Sequence, residues 1–133
     1  MNLTQILHQR WSADATLDAA LPAGRVFTGP SVDPATPFAV ITQLGARPIR
    51  SFGDGSVLDA VVIRVELFHD SYDAATSIAT AMKDAFTGFA IDTELGDRLL
   101  AMRRDNETEH QAADGTWRMT VDFACTVYLT SGA

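Results

Sequence analysis

The stretch Trp117-Arg118-Met119-Thr120-Val121-Asp122-Phe123-Ala124-Cys125-Thr126-Val127-Tyr128 decides the fold. Trp117, Met119, Val121, Phe123, Cys125 and Val127 fall on one side of an extended chain, and Arg118, Thr120, Asp122 and Thr126 on the other. Side chains along a strand alternate between faces, so this pattern predicts a strand with one face in a core and one of mixed polarity. Residues 58–69 repeat it: Val61, Ile63, Val65 and Leu67 alternate with Val62, Arg64, Glu66 and Phe68. Two further strands are expected, at residues 38–44 and from Arg98 to about Arg104. Residues 105–115 read as a polar hairpin tip ending in the turn dipeptide Asp114-Gly115.

Helical spacing flanks these strands. Leu3, Ile6, Leu7 and Trp11 form one apolar stripe, with Asn2 and Gln5 placed as a capping box. The pattern continues through Leu17 and Leu21 until Pro22 and Gly24 stop it. A second helix, capped by Asp70 or Ser71, places Ala75, Ile78, Ala79, Met82, Phe86 and Phe89 on one face and ends near Gly88. Residues 24–37, with Pro30, Pro34 and Pro37, read as irregular chain around a short strand at Arg25–Thr28. Residues 45–57 read as a long loop, either functional or merely mobile. The order helix, strands, helix, hairpin predicts an α+β fold: an antiparallel sheet of about four strands with two helices packed on one face. The other face, bearing Arg64, Glu66, Arg118 and Asp122, would be solvated or would meet another subunit.

With 133 residues, 47% hydrophobic and 20% charged, the chain reads as a single domain, residues 1–133. Ten Lys and Arg against seventeen Asp and Glu give a net charge of −7. That balance disfavours a grip on nucleic acid or an anionic membrane, both of which need clustered cations. One cysteine, Cys125, excludes an internal disulfide and a Cys-based zinc site. The chain shows no apolar run of transmembrane length and no signal-peptide pattern at its start.

Constellations able to carry chemistry are sparse. His8, His69 and His110 are not at metal-ligand spacing. Phe52-Gly53-Asp54-Gly55-Ser56 lacks the ending of a phosphate-binding loop and reads as a turn. Cys125 sits on an apolar face with no neighbouring cation to activate it. There is no Gly-x-Ser-x-Gly nucleophile elbow. No catalytic residue, cofactor or metal is expected. Two groups remain as candidates for contact. Arg47, Arg50 and Phe52 combine basic groups and an aromatic, which suits an acidic partner surface. Asp105, Glu107, Glu109 and Asp114 form an acidic tip.

Several segments, in this order, resemble the phage tail-terminator and head–tail joining (neck) proteins of long-tailed phages and prophages. Arg25-Val26-Phe27 leads to Pro37-Phe38-Ala39-Val40-Ile41, and Val61-Val62-Ile63-Arg64-Val65-Glu66-Leu67-Phe68 is similar to that family's central strand. Asp73-Ala74-Ala75 through Met82 resembles the helix that follows, and residues 114–123 the last hairpin arm. Phe68 stands near the place of the family's frequent Trp. The resemblance implies a virion structural protein without catalysis. Copies would form a ring, usually a hexamer, that caps the tail tube and meets the head connector, after assembly in the host cytoplasm. DNA would pass through without specific binding, and the acidic tip, Asp105, Glu107, Glu109 and Asp114, is expected to line that channel. Arg47, Arg50 and Phe52 are expected to contact tail-tube or connector subunits. Two other readings stand beside this one: another neck or tail-completion adaptor, and a small bacterial α+β ligand-binding domain built around an apolar pocket.

Overall fold

The computed structural model describes residues 1–29 and 35–130, so Pro30 and Pro34 lie outside the described residues. Helix α1 (Leu3–Ala13) starts where the Asn2 side chain accepts the Gln5 N–H, and it buries Leu3, Leu7 and Trp11. The continuous helix expected through Leu21 is broken at Asp14. Its backbone N–H bonds back to the Arg10 and Trp11 carbonyls, while its carboxylate accepts the Leu17 N–H at 2.9 Å and caps a separate helix α2 (Ala15–Ala20). An aspartate that offers a cap competes with helix continuation. The break still leaves Leu17 and Leu21 buried.

After a 3-10 turn at Ala23–Arg25 come β1 (Val26–Thr28), β2 (Phe38–Ser51) and β3 (Val57–His69). Helix α3 (Tyr72–Phe86) follows, then β4 (Ile91–Asp92), β5 (Arg98–Gln111) and β6 (Trp117–Leu129). The strands form one sheet of order β1-β2-β3-β6-β5-β4, with β1 and β2 parallel and the other neighbours antiparallel. This corrects the expected fold class. The molecule is mostly sheet, a six-stranded, mixed, strongly curled half-barrel with few helices, and not a four-stranded antiparallel sheet packed with two helices.

Two expected irregular segments turn out to be strand. Residues 45–51 continue β2, and the loop shrinks to a turn in which Phe52 N–H bonds the Ser56 carbonyl at 2.9 Å. Residues 105–111 continue β5, and the tip shrinks to residues 112–116, closed by the Ala112 N–H on the Thr116 carbonyl. Both strands carry register shifts, at Gln43/Gly45 and Pro48/Arg50 in β2 and at Leu99/Ala101 and Arg104/Asn106 in β5. Each bulge adds a residue and resets which side chain faces the core, which erases the period-two signal while the ladder continues.

One face of the sheet carries Ala39, Ile41, Ile63, Val65, Leu67, Val121, Phe123 and Cys125, all buried. Helices α1 and α3 lie on it. Trp11, Phe86 and Phe123 meet edge to face at 6.2 and 5.8 Å, joining α1, α3 and β6. The buried Trp11 Nε1–H donates to the Leu21 carbonyl at 2.8 Å, which locks α2 under α1. At the start of α3 the cap is Ser71, whose hydroxyl accepts the Ala74 N–H. At its end Gly88, at φ +79°, donates to the Met102 carbonyl and turns the chain toward β5.

Candidate assembly surface

The sheet face opposite the helices carries the residues of mixed polarity. Their charges pair with one another across β3 and β6. Arg64 makes a two-pronged contact with Asp122, Nε to Oδ1 at 2.8 Å and Nη2 to Oδ2 at 3.0 Å, and Arg118 lies 3.9 Å from Glu66. Hydrogen bonding to Asp122 holds the Arg64 guanidinium above its ordinary pKa. At one end of this face Phe38 stacks on Phe68 at 4.5 Å, with Phe27 edge-on to Phe38 at 6.4 Å. At the other end Phe52 packs on Tyr128, and Arg50 and Arg98 lie over the Phe52 and Tyr128 rings. Tight intramolecular pairing over the centre leaves the edges of the sheet as its unsatisfied part.

Those edges are only half covered. β1 pairs with β2 at Ala39, Val40 and Ile41, and β4 pairs with β5 at Arg98 and Leu99. Among the described residues, β2 from Gln43 onward has β3 on one side and no strand on the other, and β5 from Leu100 onward has β6 as its one neighbouring strand, with the Met102 carbonyl taken by the Gly88 N–H. An unpaired strand edge presents a row of free N–H and C=O groups, a template for another chain. The two bare stretches lie on opposite edges and at opposite ends of the sheet, because β2 and β5 run in opposite directions and each is covered at its N-terminal end.

The sequence candidates divide between these two stretches. Arg47 and Arg50 sit on the bare half of β2, and Phe52 in the turn beyond it. Asp105, Glu107 and Glu109 sit on the bare half of β5. Asp114 stands apart in the turn, where its carboxylate accepts the Thr116 N–H at 2.9 Å. That bond holds its pKa below the ordinary carboxylate value. Glu107 takes Lys83 of α3 at 3.0 Å and Arg104 at 3.7 Å, and Glu109 accepts the Tyr72 hydroxyl at 3.0 Å. The hydrogen bond to that carboxylate, which only the protonated phenol can donate, raises the Tyr72 pKa, and repulsion of a phenolate by the same carboxylate adds to it. Asp105 has no ion-pair partner among the described residues. The four carboxylates are thus three members of one strand edge and one turn residue.

Alternation over residues 38–44 places Leu44 on one face with Phe38, Val40 and Thr42, whereas the structure leaves it exposed (48%), together with Ile49 (55%) and Leu100 (42%). Each falls at a register shift and lacks a cross-strand partner, so pattern reading loses it; Pro48 beside Ile49 was the one local hint of an edge. The groove between α3 and β5, about 400 Å³, is floored by Met119 and Val121 and walled by Lys83, Glu107 and Glu109. His8 lies 3.0 Å from the Ala23 carbonyl, His69 accepts the Ser71 N–H, and His110 stands exposed on β5, so the three are dispersed. Among the described residues no group of three or more His, Cys, Asp or Glu is arranged to hold a metal ion. Cys125 is buried, and burial pushes its thiol up to about 12. No helix among the described residues is long and apolar enough to cross a membrane.

A family model described as tail completion protein gp17 matches residues 5–128. The chain belongs to this family. It is a phage-type structural tail protein, in agreement with the resemblance seen in its sequence. A solved chain from a structure described as the virion of a native gene transfer agent particle superposes with a TM-score of 0.72 at 16% identity, covering 96% of this chain and 95% of that one. A second solved chain superposes with a TM-score of 0.58, also at 16% identity, over 92% of this chain and 94% of the other. At that identity the likeness is one of fold. No curated protein sequence matches the chain significantly.

Proposed function

We propose that this tail completion protein acts without catalysis, as a single-domain subunit of a ring that ends the tail tube and joins it to the head connector. The carrying observation is the pair of bare strand edges on opposite sides of one sheet. A subunit with two different adhesive edges makes head-to-tail contacts, and such contacts close into a ring when the rotation per subunit divides a full turn. The family match and the fold likeness to a chain of a phage-like particle support the setting. A hexamer of chains each bearing −7 carries roughly forty net negative charges, and those that face the bore repel DNA phosphates within the ~8 Å screening length and let the duplex slide. Its partners in this reading are further copies, the tail-tube protein and the connector, with assembly in the host cytoplasm and a final place in the virion neck. The test is electron microscopy of particles made with and without the gene. Loss of the protein is expected to give tails of unregulated length or tails without heads. Unchanged particles would refute the reading.

A further inference from the structure

Charge on the open sheet face is sorted by position. Cross-strand partners share a face, so the register places Arg47, Arg50, Arg64, Arg98, Arg103 and Arg118 on this side, with Glu66, Asp92 and Asp122 as its carboxylates. The face is cationic on a chain whose net charge is −7. Toward one end Asp122 and Glu66 neutralise Arg64 and Arg118. Toward the other, Arg47 and Arg50 stand on β2 and Arg98 and Arg103 on β5, all exposed, and among the described residues none of these four makes an ion pair. Asp92 neighbours Arg98 at the rim, and Arg103 also borders the cleft toward α3. Asp59, opposite Pro48 and Val127, is on the helix side, and Asp54 is bonded to Ser56 in its turn. Between the two banks lie Leu58, Ala60 and Val62 of β3 and Ala124 and Thr126 of β6, half-buried. Resting on the reading of this chain as a joining subunit, we propose that this trough receives an amphipathic helix of a partner protein, its apolar stripe on β3 and β6 and acidic residues along both flanks.

The dimensions suit a helix. Arg50, Leu58, Tyr128 and Arg98 form one cross-strand row, so the backbones of the two banks are ~14 Å apart at ~4.8 Å per strand. An α-helix with its side chains is ~10–12 Å across. Arg47 and Arg50 pair with Ala60 and Leu58, positions ~7 Å apart along β3, close to one helical turn of ~5.4 Å. Arg98 and Arg103 pair with Tyr128 and Ala124, ~13 Å apart along β6, a little over two turns. Acidic side chains one turn apart on one flank and two turns apart on the other meet both banks. Arg50 and Arg98 lie over the rings of Phe52 and Tyr128 at 5.5 and 5.0 Å. Stacking on a ring leaves the edge N–H groups of a guanidinium free for carboxylates. The floor argues against nucleic acid: Leu58, Ala60, Val62 and Ala124 offer phosphates no partner, and the acidic remainder of the chain repels them. It also argues against a helix from a second copy, because α1 and α3 turn their apolar stripes into their own core. Sequence alone points to Arg47, Arg50 and Phe52; Arg98 and Arg103 join them because β6 lies between β3 and β5.

The experiment uses three fluorescein-labelled probes read by anisotropy against the full chain, with circular dichroism as the check on folding. One is a helical peptide of about 18 residues, five turns, with Leu along one face and Glu on both flanks. The second has the same composition and charge, shuffled so that the stripe is lost, and the third is a mixed-sequence DNA duplex. The striped peptide is expected to bind, and the shuffled peptide and the duplex to bind about tenfold more weakly or not at all. The double variants Arg50→Glu/Arg98→Glu and Arg47→Glu/Arg103→Glu are each expected to weaken the striped peptide about tenfold or more. Arg104→Glu, on the helix side opposite Phe123, is expected to leave it unchanged. Equal affinity for the striped and shuffled peptides, or binding that survives both double variants, would overturn the helix assignment. So would a duplex held more tightly than the peptide through the same arginines. Particles unaffected by loss of the gene would refute the joining reading alone, since a striped peptide still bound by the four arginines leaves the trough standing.

Discussion

The Arg64–Asp122 pair offers a test of whether the open face is satisfied within the subunit. Both contacts are at hydrogen-bond length, and the side chains are unequally exposed, 38% for Arg64 and 12% for Asp122. Two unit charges ~4 Å apart attract by about 4 kcal/mol at an effective dielectric of ~20. Solvent around Arg64 and the cost of desolvating Asp122 offset much of that. Exposed pairs couple by ~0.2–1 kcal/mol and breaking a fully buried pair costs ~3–5 kcal/mol, so the expected coupling here is about 1–2 kcal/mol. Because the partners differ in exposure, the single substitutions are not equivalent. Arg64→Ala strands a nearly buried carboxylate and is expected to cost about 2–3 kcal/mol, while Asp122→Ala leaves an arginine that swings into water and costs ~1–2 kcal/mol. With an unfolding entropy of ~2.1 cal/mol/K per residue, 133 residues give ~0.28 kcal/mol/K, so Arg64→Ala lowers Tm by about 7–11 °C. Urea unfolding of wild type, both single variants and the double variant closes the cycle. A coupling below ~0.3 kcal/mol, or Asp122→Ala as the worse of the two, would refute the account of this face as internally paired.

Two other outcomes follow from the core. Trp11→Phe removes the donor to the buried Leu21 carbonyl and opens a small void beside Phe86, so it is expected to destabilise by about 2–4 kcal/mol with an unchanged urea m-value; a loss under ~0.5 kcal/mol would contradict the role given to that bond. The Cys125 thiol is held protonated, its pKa raised from 9.0 to about 12. The folded state therefore keeps its proton more tightly than the unfolded state, so the stability tied to this group is complete below pH 9 and is lost as the pH rises toward 12. Cys125→Ala is expected to flatten that alkaline decline, and a disulfide reagent at pH 8 is expected to label the wild type only in denaturant; rapid labelling of the native protein would contradict the burial.

Much of the chain was legible because its signals are local. The alternation in residues 117–128 and 58–69 gave the two central strands, and the stripe Ala75, Ile78, Ala79, Met82 and Phe86 gave α3, since each pattern reports one element against one core. Ser71 or Asp70 as the cap was ambiguous because both sit at the right distance, and only the Ser71 hydroxyl bond decides it. The long strands β2 and β5 were truncated in the reading because bulges at Leu44, Ile49, Leu100 and Asp105 shift the phase of the pattern. Beyond Gln43 and Met102 these strands are exposed throughout, so no buried face remained to be read.

The candidate surface shows the same division. Composition and sequence by themselves determined the acidity, the lack of catalytic spacing and the residues Arg47, Arg50, Asp105, Glu107 and Glu109 as charged groups outside the core. They did not determine that the two sets lie on opposite edges of one sheet. That depends on β6 inserting between β3 and β5 and on β1 and β4 each covering half an edge, pairings between segments distant in the chain. Strand order and register are set by how a whole set of apolar faces closes over one core, and no local window of sequence contains that information.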